Sequence, residues 1–412
     1  MGGMCQTISI WRNGKKTEPV NVIEQTQNVP PMQYYPHPSL VAPKRNHRGE
    51  VHYSTNGQYL SPFSYEEPGS SIFTSTETFS GPYGNRFTED QIYTLLVDFI
   101  IPPGHLFING FPVLNEATNN VQIFKQCFSN PLVVYSEEKK SNSNKDSSHY
   151  SKQINAHERI CVRCKSGFFI TNDEYLTKDP CYFHWGKLLN HSFSCCKQSP
   201  GSIGCTTGKL HVWNGTVDGT NEPLEGFVKT KSSGLGNKQN VFALDCEMCY
   251  TVKGLELSRV VILSCTGSIV YDHFVKPDNE VVDYNTRYSG VTESDIHSST
   301  AKSFSNVQSD ILKLFTEDTI LVGHSLDNDL RVLKILHSKI ADTSLIFPHH
   351  RGFPFKYSLK HLMWTNFGKN IQTSDSGHNP YEDASSCLDL IYLKIRKQQE
   401  IHNSQYSYTM PY

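Results

Sequence analysis

The run FALDCEMCY, residues 242–250, sets two carboxylates one residue apart inside otherwise apolar sequence. Extended backbone alternates its faces with period 2. Asp245 and Glu247 therefore share a face with Ala243, while Phe242, Leu244, Cys246 and Met248 take the other. An ionised carboxylate is costly to withdraw from water unless something pairs with it. Two on one face also repel each other, so a fold that buries this strand must bring a cation to it.

Two later segments offer carboxylates to the same cation. In VGHSLDNDLRVLKIL, helical spacing puts Asp329 over Leu326 and Leu333, on the apolar stripe. Asp327 lies over Leu330, Arg331 and Lys334, a solvated side where an i, i+4 pair with Arg331 is natural. In SGHNPYEDASSCLDL, Asn379 suits a helix cap, Pro380 the first helical position, and Glu382 the third position of a capping box. Asp383 then faces inward with Cys387 and Ile391, and Glu382 outward with Ser385, Ser386 and Asp389. His378 sits in the loop just ahead.

The inward set is thus Asp245, Glu247, Asp329 and Asp383, with one loop histidine. Oxygen-only ligands suit Mg²⁺ or Mn²⁺. Four are too many for one Mg²⁺ that keeps several waters, but suit two ions about 3.5–4 Å apart, the arrangement that cleaves phosphodiesters. His378, whose ordinary pKa is near 6.5, can take a proton from an attacking water. Singly, each piece reads more readily as a surface pair, a solvated histidine or a satisfied cap. The ordered set is what is specific.

A second cluster lies upstream. Of the 12 cysteines, six fall between 161 and 205, as CVRC, CYFH, CC and GC, with LHV following. Cys161, Cys164, Cys181, His184, Cys195, Cys196, Cys205 and His211 give two tetrahedral Zn²⁺ sites, and the Cys-x2-Cys and Cys-x2-His spacings suit ligands of one ion. The pairing can be consecutive or interleaved. Both sites would be structural.

These features divide the 412 residues into six parts. Residues 1–88, rich in Pro, Tyr, Ser, Thr, Asn and Gln, are expected to be a disordered tail. A short capped helix from Thr88 and a polar loop, 136–152, make up 89–156. The zinc-binding module follows at 157–215, a linker at 216–240, an α/β domain at 241–398 and a tail at 399–412. VVILSCTGSIVYDHFV reads as a hairpin turning at Gly267, and TILVGH followed by SLDNDLRVLKIL as a strand and helix. The best apolar stretch, YTLLVDFIIPP, is broken by Asp98 and two prolines, and the N-terminus lacks a signal-peptide core. The expectation is a soluble, intracellular protein without membrane contact.

FALDCEMC, LVGHSLDNDLRVLK and GHNPYEDASSCLDL resemble the three motifs of the DEDDh exonuclease superfamily. More narrowly they resemble the eukaryotic RNA exonucleases whose signature is DCEM. VKPDNEVVDYNTRYSGVTESDI and DTSLIFPHHRGFPFKYSLKHLM are typical of that family too, so the likeness covers about 241–395. It implies a ribonuclease-H-like fold, a five-stranded mixed sheet flanked by helices, and 3′-to-5′ hydrolysis releasing nucleoside 5′-monophosphates. It also implies that Asp245 bridges two ions, Glu247 and Asp383 bind the water-activating one, Asp329 binds the other, and His378 is the general base. Ser289, Gly290, Val291 and Thr292 resemble the cradle for the terminal base. Met248, Arg287, His324, Arg351 and Lys356 complete the expected substrate contacts, and Asp342 is assigned a structural role. The cysteine-rich run is similar to the CHORD module. Nuclear residence, and protein partners met through the tail or the zinc module, are expectations from family likeness alone.

From 241 onward there are 16 Lys and Arg against 20 Asp and Glu, so RNA contact has to be local. HHRGFPFKYSLK, 349–360, mixes cations with aromatic rings, a combination suited to single-stranded RNA 3′ ends. Two other readings fit the chain: a DNA exonuclease of the same fold, and a protein-binding adaptor built on a nuclease scaffold.

Overall fold

A computed structural model of the chain describes residues 11–12, 15–16, 79–80, 86–126, 157–232, 240–374 and 376–407. Contacts divide the chain into two units, 1–71 and 72–412. In the first, the described residues form the antiparallel pair Trp11–Arg12 with Lys15–Lys16. Later in the expected tail Phe79–Ser80 pairs antiparallel with Arg86–Phe87; the remainder of 1–87 and the polar loop 136–152 lie outside the described residues. All further elements belong to the second unit.

Helix α1, Glu89–Leu96, starts where the sequence places a cap. Gln91 N–H donates to the Thr88 hydroxyl and Thr88 N–H to the Gln91 side chain, satisfying two helix-end donors at once. Ile92, Tyr93 and Leu96 recur at helical spacing and are buried together with Val241, Ala243 and Val261. Further on, Ile101, Leu106 and Phe111 are buried with Phe242 and Leu244, and Ile101 N–H donates to Ile340 O at 2.9 Å. The segment expected to precede the α/β domain as a separate piece is part of its core.

The sheet is centred on β1, Val241–Thr251, which pairs antiparallel with β2, Gly254–Ser264. The chain turns at Gly267 into β3, Ile269–Lys276, giving the expected hairpin. β4 is Val281–Asp283, β5 Ile320–Gly323 and β6 Ile340–Asp342. The order is Lys302–Ser303, β3, β2, β1, β5, β6, with β4 also on β1, so the sheet has seven strands rather than five. The two beyond expectation are short edge pieces, Lys302–Ser303 and β4, too brief to show as a sequence pattern. One face packs α1, α4 (Leu359–Phe367) and α5 (Pro380–Ser407). The other packs α2 (Phe304–Leu314) and α3 (Leu326–Leu333). β1 is apolar on both faces because both are covered.

The second edge of β1 is only partly used. β5 runs parallel to it along Val241–Ala243, and β4 meets it at Tyr250–Thr251. Residues 244–249 between these partners have β2 on one edge and no strand on the other, and the β2 pairing bulges between Glu247 and Met248. Asp245 and Glu247 lie in that gap.

The expected linker, 216–240, is not free chain. Gly219–Leu224 pairs with Asn120–Lys125, and Val228–Lys229 runs parallel to Ile335–Leu336. Residues 233–239 lie outside the described residues. The terminal helix extends to Ser407, so the tail expected from 399 begins as helix. Cys161, Phe168, Ile170, Tyr175, Cys181 and Val212 form a third, smaller core that is completed by Val252 of the α/β domain, with Tyr250 and Val282 packed against it. Trp213 Nε1 donates to Val252 O at 3.0 Å across the same junction. Among the described residues no single helix is long and apolar enough to cross a membrane.

Candidate active site and metal centres

The ladder gap leaves Cys246 N–H without a strand partner, and Asp329 supplies one: its Oδ1 accepts that proton at 2.9 Å. Helix α3 is thereby fixed to β1 with Asp329 facing Asp245 and Glu247. Asp383 enters from the first turn of α5, where Gln372 Nε2 donates to both of its oxygens at 3.1 Å. Glu247, Asp329 and Asp383 are buried and Asp245 is half-buried.

Burial, then the charges of Asp329, Glu247 and Asp383, push Asp245 well above the usual carboxylate range. Burial, then Asp383 and Asp329, raise Glu247 to about 9. Burial lifts Asp329 to about 8 against the bond from Cys246 N–H, and Asp383 to about 6 against the bond from Gln372. Glu247 Oε1 is buried without a hydrogen-bond partner. Carboxylates that raise one another, one with an orphaned oxygen, have the donor chemistry that a hard divalent cation completes.

His378 stands beside them. Its backbone N–H donates to Tyr288 O at 2.7 Å, and its Nδ1 lies 3.8 Å from Asp383 Oδ2. Burial, then the Lys360 charge, hold its pKa below the ordinary value, so the ring is neutral at neutral pH and able to accept a proton.

Helical register separates the acidic neighbours, with two changes of partner. Asp327 pairs with Lys356 at 3.2 Å rather than with Arg331, whose guanidinium donates to Asn214 O. Lys356 reaches Asp327 from a loop, a contact that local spacing cannot show. Asn379 caps α5 through Tyr381 N–H, but Glu382 accepts from Gln372 N–H instead of closing a capping box. Ser386, expected to face outward, is fully buried because α5 lies flat across β1, β2 and α4.

Most expected substrate side chains have inward employment. Ser289 is buried, donating to Tyr284 O and accepting Val291 N–H; Val291 is buried as well. Thr292 caps a short helix in a capping box with Asp295. His324 Nδ1 meets Thr343 Oγ1 at 2.9 Å, and Lys356 is held by Asp327. Met248 is half-buried against the α3 side of the sheet. Arg287 lies over the Trp185 ring, 4.1 Å from its centroid, and Arg351 over Phe355 at 3.8 Å. Gly290, in the left-handed region, abuts the His378 loop: a side chain there would stand 3.1 Å from Ser376 O. Asp342 is structural, accepting the N–H groups of Ser325, Leu326 and Ser344. Gln372 was missed, since an amide in a polar loop gives no sequence signal.

The eight Cys and His side chains gather into two sets, each with its ligand atoms within 4.8 Å of one another. One is Cys161, Cys164, Cys181 and His211; the other is His184, Cys195, Cys196 and Cys205. Among the described residues no carboxylate group is drawn together so tightly. The second set is nested within the span of the first, so Cys181 and His184 part company despite their spacing. Cys181 begins the strand Cys181–Phe183, and three residues on the chain has crossed to the other face. The thiol pairs Cys161 with Cys181, at 3.7 Å, and Cys195 with Cys205, at 3.5 Å, are not disulfides. His184 directs Nδ1 at Cys195 and Cys196 while Nε2 meets Ser202, the second contact that orients a metal-binding imidazole. Four soft ligands per set fit tetrahedral zinc.

No family model matches the chain. It is 44% identical over 254 residues to the exonuclease GOR of Pan troglodytes, covering 59% of this chain and 36% of that protein. It is 40% identical over 317 residues to the RNA exonuclease 1 homolog of Homo sapiens, covering 74% of this chain and 24% of that one. The chain therefore spans about a quarter to a third of the length of these curated relatives. Among solved structures, the Neurospora crassa Pan2 catalytic unit (protease and nuclease domain) aligns at 23% identity with a TM-score of 0.37, over 47% of this chain and 34% of that one.

Proposed function

We propose that the chain is a metal-dependent 3′-to-5′ RNA exonuclease that releases nucleoside 5′-monophosphates. The observation that carries this is the convergence of Asp245, Glu247, Asp329 and Asp383 on the gap beside β1, with a neutral His378 at hand. Similarity to proteins named as RNA exonucleases favours RNA over DNA and enzyme over adaptor.

The four carboxylates would hold two Mg²⁺ or Mn²⁺ ions, which supply Lewis-acid stabilisation of the charge that develops on the phosphoryl oxygens. His378 accepts a proton from the water that attacks phosphorus as the bond to the 3′ oxygen breaks. Gln372 holds the Asp383 carboxylate in one orientation, and Cys246 N–H does the same for Asp329. Upstream nucleotides would stack on 349–361, where His349, Tyr357 and His361 lie ring on ring at 4.3 and 4.6 Å beside the Arg351–Phe355 pair. The two Cys/His sets would each hold a structural zinc.

Labelled RNA and DNA oligomers, blocked at either end and incubated with Mg²⁺ or EDTA, test this. Stepwise loss from an open RNA 3′ end, dependent on Mg²⁺ and absent in His378→Ala, is expected. Internal cuts, degradation from the 5′ end, preference for DNA or full activity in the variant would overturn it.

A further inference from the structure

The segment 283–290 carries the carbonyl that holds His378, and the Cys/His module grips it at both ends. At its start, Arg163, between the ligands Cys161 and Cys164, makes a two-point bond to Asp283, 2.6 and 2.9 Å, and reaches Asn285 at 3.5 Å. Such fork-to-carboxylate pairs fix orientation as well as distance. Four residues on, the module returns through Trp185, the residue after the ligand His184. Its ring underlies Arg287, and its carbonyl accepts the Tyr288 hydroxyl at 3.2 Å.

Tyr288 passes this grip directly to the histidine. Its own carbonyl receives His378 N–H at 2.7 Å, and its ring stands edge-on to the imidazole, 6.4 Å between centroids. The loops touch backbone to backbone: a side chain at Gly377 would come 2.2 Å from Gly290 N. The chain of contacts from the second Cys/His set to His378 is thus unbroken: His184, Trp185, Tyr288, His378.

We propose that the Cys/His module serves the nuclease as a positioning device, with Trp185 and Tyr288 as positioning residues that set the His378 loop. The inference rests on the reading of His378 as general base, but the contact chain can be measured without catalysis. It also gives the junction at Val252 and Trp213 a purpose beyond burial: it fixes the module's placement on the α/β domain.

The test uses the full zinc-loaded chain and Tyr288→Phe, which keeps the ring and removes the bond to Trp185. Loss of one hydrogen bond predicts kcat lower by about 3- to 10-fold, with KM changed less than about 2-fold. Amide exchange at His378 should accelerate by a similar factor, and the zinc content should stay at the wild-type value. Cys205→Ser should lower the zinc content and kcat together, and adding Tyr288→Phe to it should cost nothing further, since both break one chain. Wild-type kcat and a protected His378 amide in Tyr288→Phe would overturn the proposal. So would a raised KM at constant kcat, which would make Tyr288 a substrate contact. Inactive wild-type chain, or an active His378→Ala, would count against the nuclease reading. The exchange measurement would then still decide whether the module holds the loop.

Discussion

Asp245, Glu247, Asp329 and Asp383 come from three separated elements of the α/β domain, raise one another's pKa, and are not gathered as a set within 4.8 Å. The eight Cys and His side chains come from one stretch of about fifty residues and are already drawn within that distance, in two sets. The first group is held apart by a rigid sheet and two helices whose cores exist without it. The second sits in short two- and three-residue strands around a small core, with little else to fix it. The expectation is that in one region the fold makes the site, while in the other bound zinc would make the fold.

The largest expected effect follows from that contrast. Structural zinc contributes an apparent binding free energy of about 10–16 kcal/mol, which is also folding free energy. Stripping zinc with a strong chelator should abolish amide protection over 157–215. Removing Mg²⁺ by brief EDTA and desalting should stop turnover and leave protection everywhere intact. A module that stays protected without zinc would break the comparison.

Next in size is a truncation. A fragment starting near 238 loses Ile92, Leu96, Ile101, Leu106 and Phe111 from the two sheet cores. At about 1.5–3 kcal/mol per buried apolar side chain, the loss is on the order of 10 kcal/mol, comparable to the whole stability of a domain. The fragment should fail to unfold cooperatively and should not degrade RNA. A stable, active fragment would show that the N-terminal segment is only draped on the core.

Third, Asp245→Asn should cut turnover by at least about 10³-fold, since it removes several kcal/mol of metal-borne stabilisation. Without metal it should raise the melting temperature most at alkaline pH, where the set ionises and one repelling charge is removed. Near-normal turnover would remove the two-ion reading.

A pH series sharpens the same point. The folded-state pKa values of Asp383, Asp329 and Glu247 lie above ordinary carboxylate values, at about 6, 8 and 9. The folded state therefore binds more protons. Their stabilisation is fully present below about pH 4 and is lost as pH rises through those values. In Mg²⁺-free buffer the melting temperature should fall between about pH 5 and 9, and Mg²⁺ should restore it most at the alkaline end. A flat profile would mean that the carboxylates do not feel one another.

The smallest effect separates neighbours on α3. Asp327→Ala breaks a half-buried pair with Lys356 and should cost about 1 kcal/mol with turnover retained. Asp329→Ala should inactivate. The reverse outcome would show that the register of α3 had been misread.

The proposed catalytic set was legible because periodicity carries the inward placement of its carboxylates. A period of 2 put Asp245 with Glu247, and a period of 3.6 turned Asp329 and Asp383 toward the apolar stripe. The Cys and His residues were legible as candidate ligands by type and interval, but their division into sets was not. It depends on which face of a short strand each residue takes and on where loops return. Side-chain partners outside regular elements left no trace: Lys356 with Asp327, Gln372 with Asp383, Arg163 with Asp283. Ser289 and Thr292 were read as substrate contacts, yet their hydroxyls satisfy nearby backbone and helix-cap groups.

The sequence by itself determined the local matters: where the main strands and helices of the α/β domain lie, which carboxylates turn inward, and which side chains have the chemistry to bind which class of metal. These follow from backbone periodicity and ligand chemistry, which act within a few residues. Only the tertiary structure decided that 89–126 belongs to the sheet cores and that 219–229 is anchored. It also decided that the Cys/His module closes on the loop holding His378. Those outcomes depend on apolar surfaces and unpaired backbone groups far apart in the chain finding one another, and burial of that kind has no fixed interval in sequence.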